Sequence, residues 1–149
     1  MGRLIFRRDL LLGLALSGVM ATCALAAPKT INIPLSGATE VPPVQTTGKG
    51  TAMLAYDPDT RSLSWTLEFS DLTGPATMAH FHGPAAAGAN APPVIWITKK
   101  GETPVSPVKG EAILTPEQAK DFTTGMWYVN VHTPNNPSGE IRGLIPQMK

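Results

Sequence analysis

All 15 prolines of this 149-residue chain follow residue 27 and recur every few residues to its end. Proline lacks an amide hydrogen and clashes with the preceding turn, so long helices are excluded from this part of the chain. Between the prolines lie short runs in which apolar and polar residues alternate. A period of two places successive side chains on opposite faces of an extended strand, which is the pattern of a half-buried sheet. The run 62–70 is the clearest: Leu63, Trp65, Leu67 and Phe69 face inward, and Ser64, Thr66 and Glu68 face water. The run 50–56 alternates similarly and is joined to it by Asp57-Pro-Asp-Thr60, where Asp bonds to nearby backbone and Pro58 pre-sets the bend. Further strands are expected over 30–35, 77–82, 94–98, 109–114, 126–132 and 140–145. A single short helix is signalled near 115–123. Thr115 is its N-cap, Pro116 its first helical residue, Gln118 completes a capping box, and Gly125 terminates it. About eight strands with one helix predict an all-β fold, a Greek-key β-sandwich.

The beginning of the chain differs in kind. Arg3, Arg7 and Arg8 precede an apolar stretch, and Ala24-Leu25-Ala26 fits a signal-peptidase site. Residues 1–26 therefore read as a secretory signal and 27–149 as one domain, and the expected destination is periplasmic or extracellular. Phe6-Arg7-Arg8-Asp9-Leu10-Leu11 partly resembles a twin-arginine export signal, although Phe6 stands where Ser or Thr is usual and no Lys follows. Cys23 is the one cysteine and falls inside this segment, so the mature domain has no disulfide. Thr22 before it is a poor fit to a lipid-attachment site. Loss of three Arg and one Asp with the signal moves the net charge from +1 to about −1. No basic run is interleaved with aromatics, which argues against nucleic acid as a partner, and no membrane span is expected after signal removal.

The chemistry is concentrated in three histidines. His80 and His82 are two residues apart on one expected strand, so their rings share a face; His132 ends another expected strand. The apolar partners Ala79 and Phe81, and Trp127, Val129 and Val131, claim the core side, which leaves the histidines on the opposite, polar face or its rim. Neutral imidazole is a common ligand for copper and zinc, and three such ligands leave a coordination position open. Asn130 or Glu140 can hold a second ring nitrogen, and Arg142 can guide an anion. With no cysteine in the mature chain, a four-ligand structural zinc site is disfavoured, and copper is the favoured ion. Two blander readings stay open: exposed rings hydrogen-bonded at a sheet edge, or a patch contacting a protein partner. No Ser-His-Asp arrangement, nucleophile elbow or phosphate loop is present.

Four motifs occur in order: Leu35-Ser-Gly-Ala-Thr-Glu-Val-Pro-Pro43, Ala79-His-Phe-His-Gly-Pro-Ala85, Tyr128-Val-Asn-Val-His-Thr133 and Gly139-Glu-Ile-Arg-Gly143. Together they resemble the CHRD domain, named for its occurrence in chordin and found alone in many exported bacterial proteins. The resemblance extends from about Ile31 to Pro146 and departs from the family at Leu144, where Gln is frequent. It implies a secreted β-sandwich with no firmly established catalytic activity, and it carries His80, His82, His132, Glu140 and Arg142 as motif residues. A looser similarity to copper-zinc superoxide dismutase rests on a His-x-His strand, a distant His and an Arg, without counterparts of the bridging histidine or zinc ligands. The expected function is thus a binding module with a copper site, its rivals being a copper-dependent oxidoreductase and a metal-free envelope interaction domain.

Overall fold

The structure is a computed structural model that describes Met1 and residues 27–148. The expected signal segment, with Cys23 and its lipid-anchor alternative, falls outside the described residues beyond Met1. Among the described residues, eight strands and one α-helix are present: β1 (Lys29–Ser36), β2 (Lys49–Asp57), β3 (Ser62–Ser70), β4 (Met78–His82), β5 (Pro93–Trp96), β6 (Val108–Ile113), α1 (Pro116–Thr123), β7 (Tyr128–His132) and β8 (Ile141–Leu144). A 3-10 turn, Gly37–Thr39, follows β1.

All the strand pairs are antiparallel, in the order β5-β4-β7-β8-β1-β2-β3-β6. The ladder is continuous through all eight strands, so the layers expected of a sandwich are parts of one curled sheet. Trp65 of β3 meets Phe81 of β4 with ring centroids 5.3 Å apart, although five positions separate these strands in the sheet order. The sheet must curl for that contact to form, and the apolar residues of both halves then share one core.

Local chemistry fixes the elements. In the β2–β3 turn, Asp57 Oδ1 accepts from Asp59 N at 2.9 Å, closing the bend that Pro58 begins. At α1, Gln118 N donates to Thr115 Oγ1 at 3.2 Å while Thr115 N donates to Gln118 Oε1 at 3.0 Å, a complete capping box. Gly125 then takes φ +78, a left-handed conformation that ends the helical segment without a Cβ penalty. The helix buries Phe122 against Tyr56 and Trp127, at centroid separations of 5.3 and 5.6 Å, and leads the chain into β7.

Candidate metal centre

β4 and β7 alternate as expected on their inner side. Ala79, Phe81, Val129 and Val131 are fully buried in the core. Their opposite side carries His80, His82, Tyr128, Asn130 and His132, and here the structure departs from the sequence reading. This polar side is not exposed: His80 is 3 % exposed, His82 and His132 6 %, and Asn130 2 %. Connecting segments fold over it. His82 Nδ1 lies 2.8 Å from the Ala91 carbonyl and His132 Nδ1 lies 3.0 Å from the Pro137 carbonyl. The face is a second, polar interior roofed by segments 83–92 and 133–139.

Register brings the three rings together. His80 pairs across the ladder with Asn130, and His132 pairs with Met78, so His132 is the diagonal neighbour of His80 rather than its direct one. Diagonal neighbours on one face are within reach of long or ring side chains. His80 Nδ1 lies 3.1 Å from His132 Nε2, and the ring centroids of His80 are 5.3 Å from His82 and 5.0 Å from His132. One ligand nitrogen from each ring lies within 4.8 Å of the other two. Nitrogens bound at ~2.1 Å to a common ion are at most ~4.2 Å apart, so a shift of roughly half an ångström closes the cluster around a metal.

Hydrogen bonding sets the tautomers. A carbonyl only accepts, so His82 and His132 each carry hydrogen on Nδ1 and present a lone pair on Nε2. His132 Nε2 then accepts from His80 Nδ1, which leaves a lone pair on His80 Nε2. The Nε2 atoms of His80 and His82 are buried and have no hydrogen-bond partner among the described residues. Burial pushes the His80 imidazole down to about 4, with further lowering by His132 and His82. Burial also lowers His82 and His132, against the raising effect of their carbonyl partners. All three rings are therefore neutral at pH 7, the form that ligates metals.

Aromatic groups shield two sides of the cluster. Trp96 of the edge strand β5 pairs directly across the ladder with His80 and meets that ring edge-on at 4.2 Å. On the other side Tyr128 stacks on His82 at 4.7 Å with an interplanar angle of 3°, and the Arg142 guanidinium carbon lies 3.4 Å from the Tyr128 ring centroid.

The expected supporting residues separate. Asn130 stays at the site, its amide interacting with both His82 and Glu40. Arg142 is fully buried; Nη1 donates to Asn90 Oδ1 at 2.9 Å and Nη2 to the Ala89 carbonyl at 2.6 Å. Those bonds tie it to the roof rather than to an anion path. Glu140 makes its hydrogen bonds away from the histidines. It accepts from Thr46 Oγ1 at 2.6 Å, Thr73 N and Oγ1 at 2.8 Å, Thr133 Oγ1 at 2.6 Å and Asn136 Nδ2 at 3.2 Å. Burial pushes its pKa up, but the hydrogen bonds from Thr133, Thr46 and Thr73 prevail and hold it at about 2. Glu140 thus ties together three chain segments around 46, 73 and 133–136.

Sequence reasoning missed Glu40 and Trp96. Glu40 stood within a quoted motif but in a segment without periodicity, and Trp96 meets His80 through a cross-strand pairing that alternation along one strand does not signal. Residues 31–145 match the sequence profile of the CHRD domain family. Comparison with curated proteins and with solved structures gives no match. Four ordered motifs, an all-β fold and a match over most of its length lead to one conclusion: this chain belongs to the CHRD domain family.

Proposed function

We propose that this protein is an exported, non-catalytic CHRD domain that binds copper through His80, His82 and His132. The observation that carries the reading is the pair of buried, unpartnered Nε2 atoms beside a third neutral ring. A buried nitrogen lone pair without a partner is costly unless a ligand satisfies it. Copper is favoured over zinc because Cu(II) stands above Zn in intrinsic affinity for nitrogen sites and imidazole suits it well. Binding is favoured over turnover because Arg142, the residue an anion-guiding role requires, is fully buried and hydrogen-bonded to Asn90 and Ala89.

The protein is expected to take up one equivalent of Cu(II), with imidazole nitrogen couplings in its EPR spectrum. His80→Ala and His132→Ala should each weaken uptake by at least about tenfold, as removal of even an outer ligand partner commonly does. Unchanged affinity in both variants rejects the site. Rapid superoxide consumption by the copper-loaded protein would instead establish the oxidoreductase alternative.

A second reading has one observation in its favour. The direct His80–His132 hydrogen bond holds two of the rings together without an ion. On that reading the cluster is structural, and the domain contacts a protein in the cell envelope. It requires that neither copper nor zinc raise the thermal midpoint, since a ligand that binds only the folded state must stabilise it. Export itself is tested by fractionation and N-terminal sequencing: the mature protein should begin at Ala27 and lie outside the cytoplasm.

A further inference from the structure

The two edge strands of the sheet differ. β5, at one end of the strand order, has four residues and begins at Pro93 directly after Pro92, so it offers few outward amides. β6, at the other end, has six residues and no proline. Its pairing with β3 fixes which of its backbone groups face outward. Leu114 N donates to the Arg61 carbonyl at 2.9 Å, and Ser62 stands opposite Ile113 in the ladder. Antiparallel ladders alternate residue by residue. Val108, Gly110 and Ala112 therefore direct their amides and carbonyls to β3, and Lys109, Glu111 and Ile113 direct theirs away from it. Those three residues are exposed, and among the described residues no hydrogen bond reaches their outward backbone groups.

An open row of amides and carbonyls is a template for another strand. Side-chain charge decides which strand fits. Lys109 and Glu111 share the outer face of β6, opposite Thr66 and Ser64 of β3. Among the described residues the salt bridges are Lys49–Asp71 and Lys99–Glu102, so neither charge on β6 is in an ion pair. A second β6 laid antiparallel has three registers that overlap the strand well and match outward groups with outward groups. One sets Lys109 opposite Lys109 and another sets Glu111 opposite Glu111; like charges directly opposite are destabilising. The third is centred on Gly110. It sets Lys109 of each copy opposite Glu111 of the other, so the two-fold axis makes the favourable pair twice. The same register brings Ile113, 76 % exposed, opposite Pro107 of the other copy, two residues from Val105, which is 75 % exposed.

We propose that β6 is a self-association edge: it pairs antiparallel with β6 of a second copy of this chain, about a two-fold axis at Gly110, and joins the two sheets into one. Backbone hydrogen bonds between Lys109 and Glu111 of opposite copies supply the attraction, and the two charge pairs fix the register. A single pair of strands makes a small contact, so the dimer should dissociate at about micromolar concentration, the weak end for protein interfaces. The pairing is independent of the copper reading, because β4 and β7, which carry the histidines, lie toward the other end of the strand order.

The test is sedimentation equilibrium over a range from about 1 μM to about 1 mM, across which the wild-type protein should pass from monomer to dimer. Lys109→Glu and Glu111→Lys each set like charges opposite one another twice, and each should weaken association by about tenfold or more. The double variant Lys109→Glu/Glu111→Lys restores both opposite pairs and should dimerise as the wild type does. Glu111→Pro removes an amide that faces away from β3 and should abolish the dimer. A wild-type protein that stays monomeric throughout the range overturns the proposal, and so do single charge variants that dimerise with wild-type affinity. A double variant as weak as the single ones overturns it as well, since the two charges then do not face each other. If Glu111→Pro fails to fold, the charge variants decide alone, because they alter only exposed side chains; if it folds and still dimerises, the strand pairing is rejected.

Discussion

The β2–β3 hairpin and the β4–β7 pair look alike in sequence, and each alternates between apolar and polar side chains. In β3 the polar set stays at the surface: Ser64 and Thr66 are half-buried and Glu68 is exposed. In β7 all five residues are buried, including Asn130 and His132. Connections make the difference. The β2–β3 turn is short and closed on itself by Asp57, so no chain is left to cover its outer face. Segments 83–92 and 133–139 are long enough to fold back, and their carbonyls at Ala89, Ala91 and Pro137 bond to Arg142, His82 and His132. Alternation therefore identifies residues that share a face, while the loops decide whether that face becomes an interior.

The largest effect that tests this contrast belongs to the apolar side of β4. Phe81→Ala should cost about 3–5 kcal/mol, because a fully buried ring leaves a cavity that its close-packed neighbours cannot fill. Urea denaturation measures it, and a cost under 1 kcal/mol would mean that the two halves of the sheet do not share a core. Next comes the carboxylate that ties the roof down. Glu140→Ala should cost about 2–3 kcal/mol by leaving the buried hydroxyl of Thr133 and the part-buried donors of Thr46 and Thr73 without an acceptor.

Glu140 also gives the contrast a pH signature. Its folded value of about 2 lies below the unfolded carboxylate value, so the unfolded chain takes up the proton first on acidification. Its contribution is present above about pH 4.5 and is lost as pH falls through 2. Thermal midpoints should decline over that window, and less steeply in Glu140→Gln. Identical slopes would show that the network does not hold the carboxylate in its charged form.

A smaller effect probes one tie of the roof. The Tyr128 hydroxyl donates to the Ala91 carbonyl at 3.2 Å and lies 3.1 Å from Ala91 N. Tyr128→Phe should cost about 1 kcal/mol and quicken amide hydrogen exchange in segment 83–92. The smallest effect belongs to the wet side of β3, where Glu68→Gln should change stability by less than about 0.5 kcal/mol. A larger loss there would mean that this face, too, is covered.

Much of the architecture was legible because its causes are local. The run at 62–70 became β3 over the same residues, and Thr115 with Gln118 formed the expected capping box. Asn135-Asn-Pro-Ser-Gly139 joined antiparallel neighbours β7 and β8. The three histidines converged because two share a strand face and the third lies diagonally across the ladder. The roles expected of Glu140 and Arg142 were less legible. Both occupy a strand-like motif near the histidines, yet Glu140 bonds to threonines from other segments and Arg142 to the 83–92 roof. Glu40 carried no periodic signal, because its position follows from a 3-10 turn and from the absence of a side chain at Gly139.

By itself the sequence determined the strands, the face on which each side chain lies, the helix cap and the family. Those follow from backbone geometry and short-range chemistry, which residues a few positions apart settle among themselves. Only the tertiary structure decided that the histidine face is an interior, that the sheet curls as one, and that Glu40 stands beside the cluster. Those depend on chain segments far apart in sequence meeting in space, and a period of two carries no information about what packs on top of it.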